Sequence, residues 1–483
     1  MPRMLSWLAA MALFTMALLV TSPARGDGDD AETAAVERPT ASSLEPTAET
    51  SDHAESEQAA EQRRLIEELR EQQAAEQRNA AAARGDVTGF RSNSPFREVR
   101  AIEPPEGAGQ ILAFHPLPDG GLVIATGATV RYGEASLAGR MASLLGLSSR
   151  RRPARPTNQL IWLDDAGTPL HSAPLPFACK GVTVAPDGAI VTVGDDRVMV
   201  LSAAGEEIAE ATAPHFQPTA EEQAAIVEEI AEQHRERIEM RRQQLERYTK
   251  AKAALEAIPE AERTPKQVEE LAEATATARL YEASMNIEAS VTTNHQTPEA
   301  VVAAALADAR TIHRVAASRE HLFLVAKQPA GYGYGVWRCG RDFSAPEKIV
   351  DGLRGCCGQM DVQVIGDELV VAENGSHRVA VYGLDGEPKR TFGRACRTDV
   401  RQGFGGCCNP MNACPGPDGT MLLSESNGLV KQFAADGTLV EILGAANVPS
   451  GCKNSSIGLS TDGITLYYLD VQKGRVLVLE RKS

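Results

Sequence analysis

From about residue 96 to the end of the chain, short β-branched and aliphatic runs alternate with Asp-Gly turns, the pattern of antiparallel strands joined by tight hairpins. Six units can be laid out. The first holds runs at 111–114, 122–126 and 160–163, with a weaker one near Leu170. The second holds 182–185, 189–193, 197–201 and 207–211, and the third starts near Ile312 and continues through 322–326, 335–339 and 348–350. The other three open at Cys356, Cys407 and Cys452. Each unit reads as a four-stranded meander that cannot bury both faces alone. Radial stacking removes that problem and predicts an all-β, six-bladed β-propeller. The last unit offers three strands only. The alternating segment 96–102 is placed to supply the fourth, which would close the ring with an N-terminal strand.

Two segments break the β pattern. Residues 218–310 read as an inserted α-helical hairpin followed by a third helix. Thr219 with Glu222 and Thr264 with Gln267 have capping-box spacing, and Pro265 and Pro298 each follow a threonine at a first-turn position. Ile238, Leu245, Tyr248, Ala251 and Leu255 approximate a seam, interrupted at Arg241-Arg242, with Val268, Leu271, Ala274 and Ala278 as the facing stripe. Helical self-association is a further use for such a face. The second insertion, 133–157, ends in the basic run 150–155. The domain map is therefore blades 1–2 over 93–217, the helical insertion over 218–310, and blades 3–6 over 311–483.

The N-terminal part has a different texture. Arg3 precedes an apolar run over 5–20, and Ala24-Arg25-Gly26 offers small residues where a signal peptidase reads, so 1–26 is expected to be a secretory signal. An uncleaved signal acting as a membrane tether is the alternative. The expected location is secreted or periplasmic, a setting that permits disulfides among the nine cysteines. Residues 27–84 hold fifteen acidic residues against six arginines, much of the chain's net charge of −16. Nucleic acid is thus an unsuitable partner. An acidic flexible linker is expected over 27–53 and a marginal, exposed helix with a linker over 54–92.

Strand parity links these parts. In an up-and-down blade the connections from strand two to three, and from strand four to the next blade, leave from one face. The basic insertion is of the first type. The helical insertion and four cysteine motifs are of the second: Cys179-Lys180-Gly181, Cys356-Cys357-Gly358, Cys407-Cys408-Asn409 and Cys452-Lys453-Asn454. Function is expected on that face. Cys179, Cys356, Cys357, Cys407, Cys408 and Cys452, with Met360 and Met411 each three residues beyond a second cysteine, form a soft ligand set for which copper or zinc is the candidate metal. Disulfides or buried structural thiols are the favoured reading of the same cysteines. Cys396 and Cys414 are candidates for a bridge, and Cys339 for a buried thiol. Lys180 and Lys453 read as thiolate partners or solvated side chains, and Asp361 and Asn412, at matching places in two blades, as turn-forming residues.

Residues 374–382 (Asn-Gly-Ser-His-Arg-Val-Ala-Val-Tyr) followed by Asp385-Gly386 resemble the core of an NHL repeat, and Ser426-Asn427-Gly428 through Phe433 with Asp436-Gly437 resembles a second copy. The resemblance implies a six-bladed NHL-type propeller, a family of mostly binding scaffolds for protein, RNA or small molecules, with few enzymes. That family includes a zinc lyase that uses channel histidines. Here only His115 and His313 fall in expected innermost strands, and no three-histidine set can be assembled. The expected function is a binding or scaffolding module, with an envelope metal-binding or thiol-redox protein as the alternative and a channel lyase a distant third.

Overall fold

The computed structural model describes residues 52–83, 85–128, 157–291, 298–330, 333–356, 360–406, 408–449, 451 and 455–482. Expectations for the signal, almost all of the acidic linker and the basic insertion lie outside these residues, apart from Asp52, His53 and Thr157. In chain order the elements open with helices α1 (Asp52–Ala83) and α2 (Thr88–Asn93) and strand β1 (Phe96–Ile102). Blade 1 is β2 (Gln110–Pro116), β3 (Leu122–Gly127), β4 (Gln159–Leu163) and β5 (Pro169–Pro174). Blade 2 is β6 (Gly181–Val184), β7 (Ile190–Gly194), β8 (Arg197–Leu201) and β9 (Glu207–Thr212). Helices α3 (Ala220–Glu256), α4 (Pro265–Val291) and α5 (Pro298–Arg310) follow.

Blade 3 is β10 (Ile312–Ala317), β11 (His321–Lys327), β12 (Tyr334–Gly340) and β13 (Glu347–Leu353). Blade 4 is β14 (Asp361–Ile365), β15 (Glu368–Glu373), β16 (Arg378–Gly383) and β17 (Pro388–Phe392). Blade 5 is β18 (Asn412–Pro415), β19 (Met421–Ser424), β20 (Leu429–Phe433) and β21 (Leu439–Ala445). Blade 6 is β22 (Ile457–Leu459), β23 (Thr465–Asp470) and β24 (Arg475–Arg481), completed on its outer edge by β1.

Each blade is a four-stranded antiparallel sheet. Phe96 pairs with Arg481 and Ile102 with Val476, so the first strand of the chain is hydrogen-bonded to the last, as the sequence predicts. The innermost strands touch in succession, β2 to β6, β10, β14, β18, β22 and back to β2, which closes the ring. A blade has a neighbour on both faces, and this explains the sequence pattern. Strands β3, β7 and β19 are buried at every position, whereas the outermost β5, β9 and β17 carry Lys, Glu, His and Pro and face solvent.

The Asp-Gly turns between third and fourth strands also set the stacking. Gly386 and Gly437 both hold φ of 90°, a left-handed conformation that an L side chain resists. Each also lies flat on the preceding blade: a Cβ at Gly437 would come within 2.4 Å of Phe392 Cγ, and one at Gly386 within 2.3 Å of the Ile349 carbonyl oxygen.

The helical insertion begins with the expected capping box. The Glu222 amide donates to Thr219 Oγ1 at 3.2 Å and the Thr219 amide to Glu222 Oε2 at 2.8 Å. Thr264 and Gln267 repeat the arrangement before α4. Helices α3 and α4 pack together, and α5 packs on α3 and on β11. The seam differs from the expected one. It runs through Ile238, Arg241, Leu245, Tyr248, Lys252 and Leu255 against Gln267, Leu271, Ala274, Ala278 and Tyr281, an alternating three-four spacing on both helices. Val268 falls off this stripe and is 52% exposed, and Ala251 is exposed too. Arg241 and Lys252 are partly buried at stripe positions that a reading of residue type alone discards. Most of α1 that can be described is exposed, but its last turn is not: Ala82 and Ala83 are buried with Val400, on the connection after β17, and with Leu429 and Ile442 of blade 5.

Candidate functional site

Antiparallel pairing within a closed ring sends the connections β3–β4, β9–β10, β13–β14, β17–β18 and β21–β22 to one end of the propeller, called here the insertion face. At the axis on this face sits Arg314, the third residue of β10. Its guanidinium donates to the carbonyls of Lys180, before β6, and of Ser455, before β22, the latter at 2.8 Å. Its Nε lies 3.4 Å from Asp361 Oδ1 at the start of β14. Asp361 Oδ2 accepts from the Ala413 amide at 2.9 Å, and Asn412 Nδ2 donates to the Ser455 carbonyl at 2.8 Å. Ser455 Oγ returns a bond to Asn412 Oδ1 at 2.9 Å. Five blades thus meet through one buried polar network. Burial pushes the Asp361 carboxyl above the usual carboxylate range, and Arg314 with the Ala413 amide opposes that. Asp361 and Asn412 were expected in turns; they are instead the rungs of this network, because the first residue of an innermost strand points at the axis.

Below the network lies a cavity of about 490 Å³. All six innermost strands or their flanks wall it, through Phe114, Val182, Val315, Gln363, Asn412 and Ile457. It runs from Arg314 and Asp361 to the hairpin turns at Pro118, Pro186, Gly366 and Thr461, at the opposite face. His115 lines it, with Nδ1 2.7 Å from the Pro116 carbonyl and its pKa lowered by burial. His313 stacks edge-on against Tyr334 instead, centroids 5.3 Å apart, and burial beside Lys180 and Lys327 holds it neutral down to about 3.

The structure brings two of the motif cysteines together. Cys356, before β14, and Cys408, before β18, have their sulfurs 2.9 Å apart. Cys356 is half-buried, and its amide donates to Asn374 Oδ1 at 2.8 Å. Cys408 is 1% exposed. Cys179 does not join them. It is buried between blades 1 and 2 with Phe177 and Met199, its sulfur 3.1 Å from Thr192 Oγ1, and burial pushes its thiol up to about 11. Of the three described motif cysteines two therefore meet and the third lies between other blades, and an arginine holds the axis. Met360 is fully buried among Phe323, Val336 and Leu369, and Met411 is fully buried too, its amide donating to the Ser424 carbonyl at 2.8 Å. Cys357, Cys407 and Cys452 lie outside the described residues. No cluster of three His, Cys, Asp or Glu side chains suited to a metal occurs among the described residues.

Cys339 is a buried thiol, raised by burial to about 12. The expected Cys396–Cys414 bridge is absent. Cys414, on β18, faces the core between blades 5 and 6 with Val430 and Tyr468, while Cys396 sits on the β17–β18 connection with its sulfur 3.5 Å from Thr398 Oγ1.

Ion pairs with a buried acid recur on the insertion face. Blades 4 to 6 repeat one device, an acid at the end of the second strand or just beyond it and a base on the third: Glu373 with Arg378, Glu425 with Lys431, and Asp470 with Arg475 at 3.5 Å. In blade 5 it is fully buried, and Lys431 Nζ also donates to the carbonyls of Val400 at 2.6 Å and Gly403 at 2.7 Å. Glu425 Oε2 accepts from the Gly405 amide at 3.2 Å. The long β17–β18 connection is thereby fixed from beneath.

Comparison with solved structures shows likeness over most of the chain. It is similar to the WD40 repeats of RRP9, with 9% identity and a TM-score of 0.39, covering 80% of this chain and 98% of that one. It is similar to a structure described as a calcium-binding protein, regucalcin, from Agrobacterium tumefaciens, with 10% identity and a TM-score of 0.39, covering 80% and 94%. The Neurospora crassa Pan2 WD40 domain gives 11%, 0.38, 82% and 98%. No family model matches the chain, and no curated protein matches it. At such identities fold alone is in question, and the ring described above stands on its own strand pairings.

Sequence reading missed Arg314. The available signal was a charged residue inside an innermost strand, Ile-His-Arg-Val-Ala-Ala, where an apolar residue is the norm. It also missed the acid–base repeat, although Glu373, Glu425 and Asp470 stand just before the turn in each of the three C-terminal blades.

Proposed function

We propose that this protein is an exported, NHL-like propeller that works as a binding or scaffolding module, with the insertion face as its recognition surface for a protein partner. The observation that carries this reading is the closure of the axis at that face by Arg314 and Asp361, flanked by a β17–β18 connection held on the buried Glu425–Lys431 pair. A plugged, rigid face with a long helical hairpin beside it offers extended area rather than a pore, and extended area is what protein recognition requires. The mostly exposed hairpin α3–α4 would supply part of that area. Export rests on the signal-like segment 1–26.

The test replaces residues 220–297 by a short Gly-Ser linker and keeps α5, which is packed on β11. The propeller should retain its β-sheet circular dichroism and cooperative unfolding while capture of its partner in the exported fraction is lost. Capture at the level of the intact chain would reject the assignment of the hairpin, and retention of the full chain with an intact N-terminus in the cytosol would reject export.

A second reading has an observation of its own: the axial cavity of about 490 Å³, within the size range of small-molecule sites. Its apolar walls with Gln363, Asn412 and His115 would suit a compact, largely neutral ligand entering from the face opposite the insertions. The metal-binding alternative is tested by elemental analysis of protein purified without a metal-affinity tag. Stoichiometric copper or zinc lost in a Cys356→Ser variant would support it, and less than about a tenth of an equivalent would remove it.

A further inference from the structure

Cys356 and Cys408, on the β13–β14 and β17–β18 connections, are 52 residues apart, yet they bring their sulfurs to 2.9 Å. Each is fixed by a different buried asparagine. Asn374 Oδ1 holds the Cys356 amide at 2.8 Å. Beside Cys408, Asn409 Oδ1 accepts from the Ser426 amide at 2.6 Å, while Asn409 Nδ2 donates to the Gly405 carbonyl at 2.5 Å. The thiols thus approach because two independently anchored backbones hold them there.

The separation discriminates between chemistries. Two thiolates on one tetrahedral zinc, with Zn–S near 2.3 Å, stand about 3.8 Å apart. A disulfide draws the sulfurs to roughly 2.05 Å. At 2.9 Å the pair is already inside the spacing a shared metal requires, and a small inward movement makes the bond.

We propose that Cys356 and Cys408 form an interblade disulfide that staples the β17–β18 connection of the insertion face to blade 4. Cys356 is the more exposed sulfur and reacts first, as the nucleophile. Its thiolate displaces one thiolate from an external disulfide carrier, an oxidoreductase or oxidised glutathione, giving a mixed disulfide. The Cys408 thiolate then attacks the Cys356 sulfur and expels the second carrier thiol. Two protein thiols lose two protons and two electrons, and the carrier disulfide becomes two thiols.

The full-length chain is equilibrated with oxidised glutathione and mapped by non-reducing tryptic mass spectrometry, in a Cys357→Ser, Cys407→Ser background that removes the adjacent thiols. The expected product is one cross-linked species joining the peptides of Cys356 and Cys408, lighter by two hydrogens, absent in Cys408→Ser and retained in Cys414→Ser. In the wild-type chain both cysteines should resist iodoacetamide until reductant is added. Trypsin cleavage at Arg397 and Arg401 should then accelerate roughly tenfold or more, as the loss of a disulfide's contribution to local order predicts. Alkylation of both cysteines in the oxidised wild-type chain, or a bond from either to another cysteine, overturns the proposal. The measurement reads a covalent bond and not partner capture, so it fails or succeeds apart from the binding reading.

Discussion

Arg314 Nε lies 3.4 Å from Asp361 Oδ1 on the propeller axis, with the two side chains only 6% and 4% exposed, so a charge from blade 3 is neutralised by one from blade 4. Removing one member leaves the other buried and uncompensated. Arg314→Met should therefore lower unfolding stability by about 3–5 kcal/mol in urea titrations, and Asp361→Asn in the same chain should restore a large part of it. A loss below about 1 kcal/mol for Arg314→Met would mean that water reaches the axis and that the plug is not closed.

Lys431 makes a local version of the same prediction. It neutralises Glu425 and donates to the carbonyls of Val400 and Gly403. Lys431→Met should cost about 3–5 kcal/mol and open the β17–β18 connection to trypsin at Arg397 and Arg401. Glu425→Gln added to it should recover part of the stability but not the protection, since the carbonyls stay without their donor. Unchanged cleavage in Lys431→Met would show that the connection is held by other contacts.

Two glycines separate backbone strain from packing between blades. Gly437 and Gly188 share a positive φ, 90° and 84°, but a Cβ at Gly437 meets Phe392 of the preceding blade at 2.4 Å and one at Gly188 meets nothing within 4 Å. Gly188→Ala should lose about 1–2 kcal/mol from conformation alone. Gly437→Ala should lose about 1–3 kcal/mol more from overpacking. Equal losses in thermal unfolding would contradict the stacking of turns on neighbouring blades.

His215 ties α5 to the propeller, with Nε2 2.9 Å from the Ala309 carbonyl and its ring against Trp337 at a centroid distance of 5.2 Å. Burial lowers its pKa from 6.5 to about 4. The unfolded chain then binds more protons between these values, so His215 stabilises the fold above pH 6.5 and that contribution is lost as pH falls towards 4. Urea midpoints should drop over that window, and His215→Gln should flatten the part of the slope owed to this residue. A slope unaltered by the substitution would place the titration elsewhere, His313 being the next group to examine.

Much of the architecture was already written in the chain by itself. The Asp-Gly turns, the four apolar runs per unit, the missing strand of the last unit and its supply by 96–102 follow from local turn chemistry and from the need of each sheet for two neighbours. The same holds for Thr219 with Glu222 and Thr264 with Gln267, where a cap is a property of four consecutive residues. Strand parity even assigned the connections to a common face. Only the tertiary structure decided what meets there. Arg314, Asp361, Asn412 and Ser455 are far apart in sequence and converge because ring closure brings the insertion-face ends of the innermost strands round one axis. Ring closure likewise puts Cys356 next to Cys408, buries Cys179 between two other blades, and keeps Cys396 from Cys414. Which cysteine meets which depends on the rotation between successive blades and the path of each connection, and both are settled by packing over the whole ring rather than by any local run of residues.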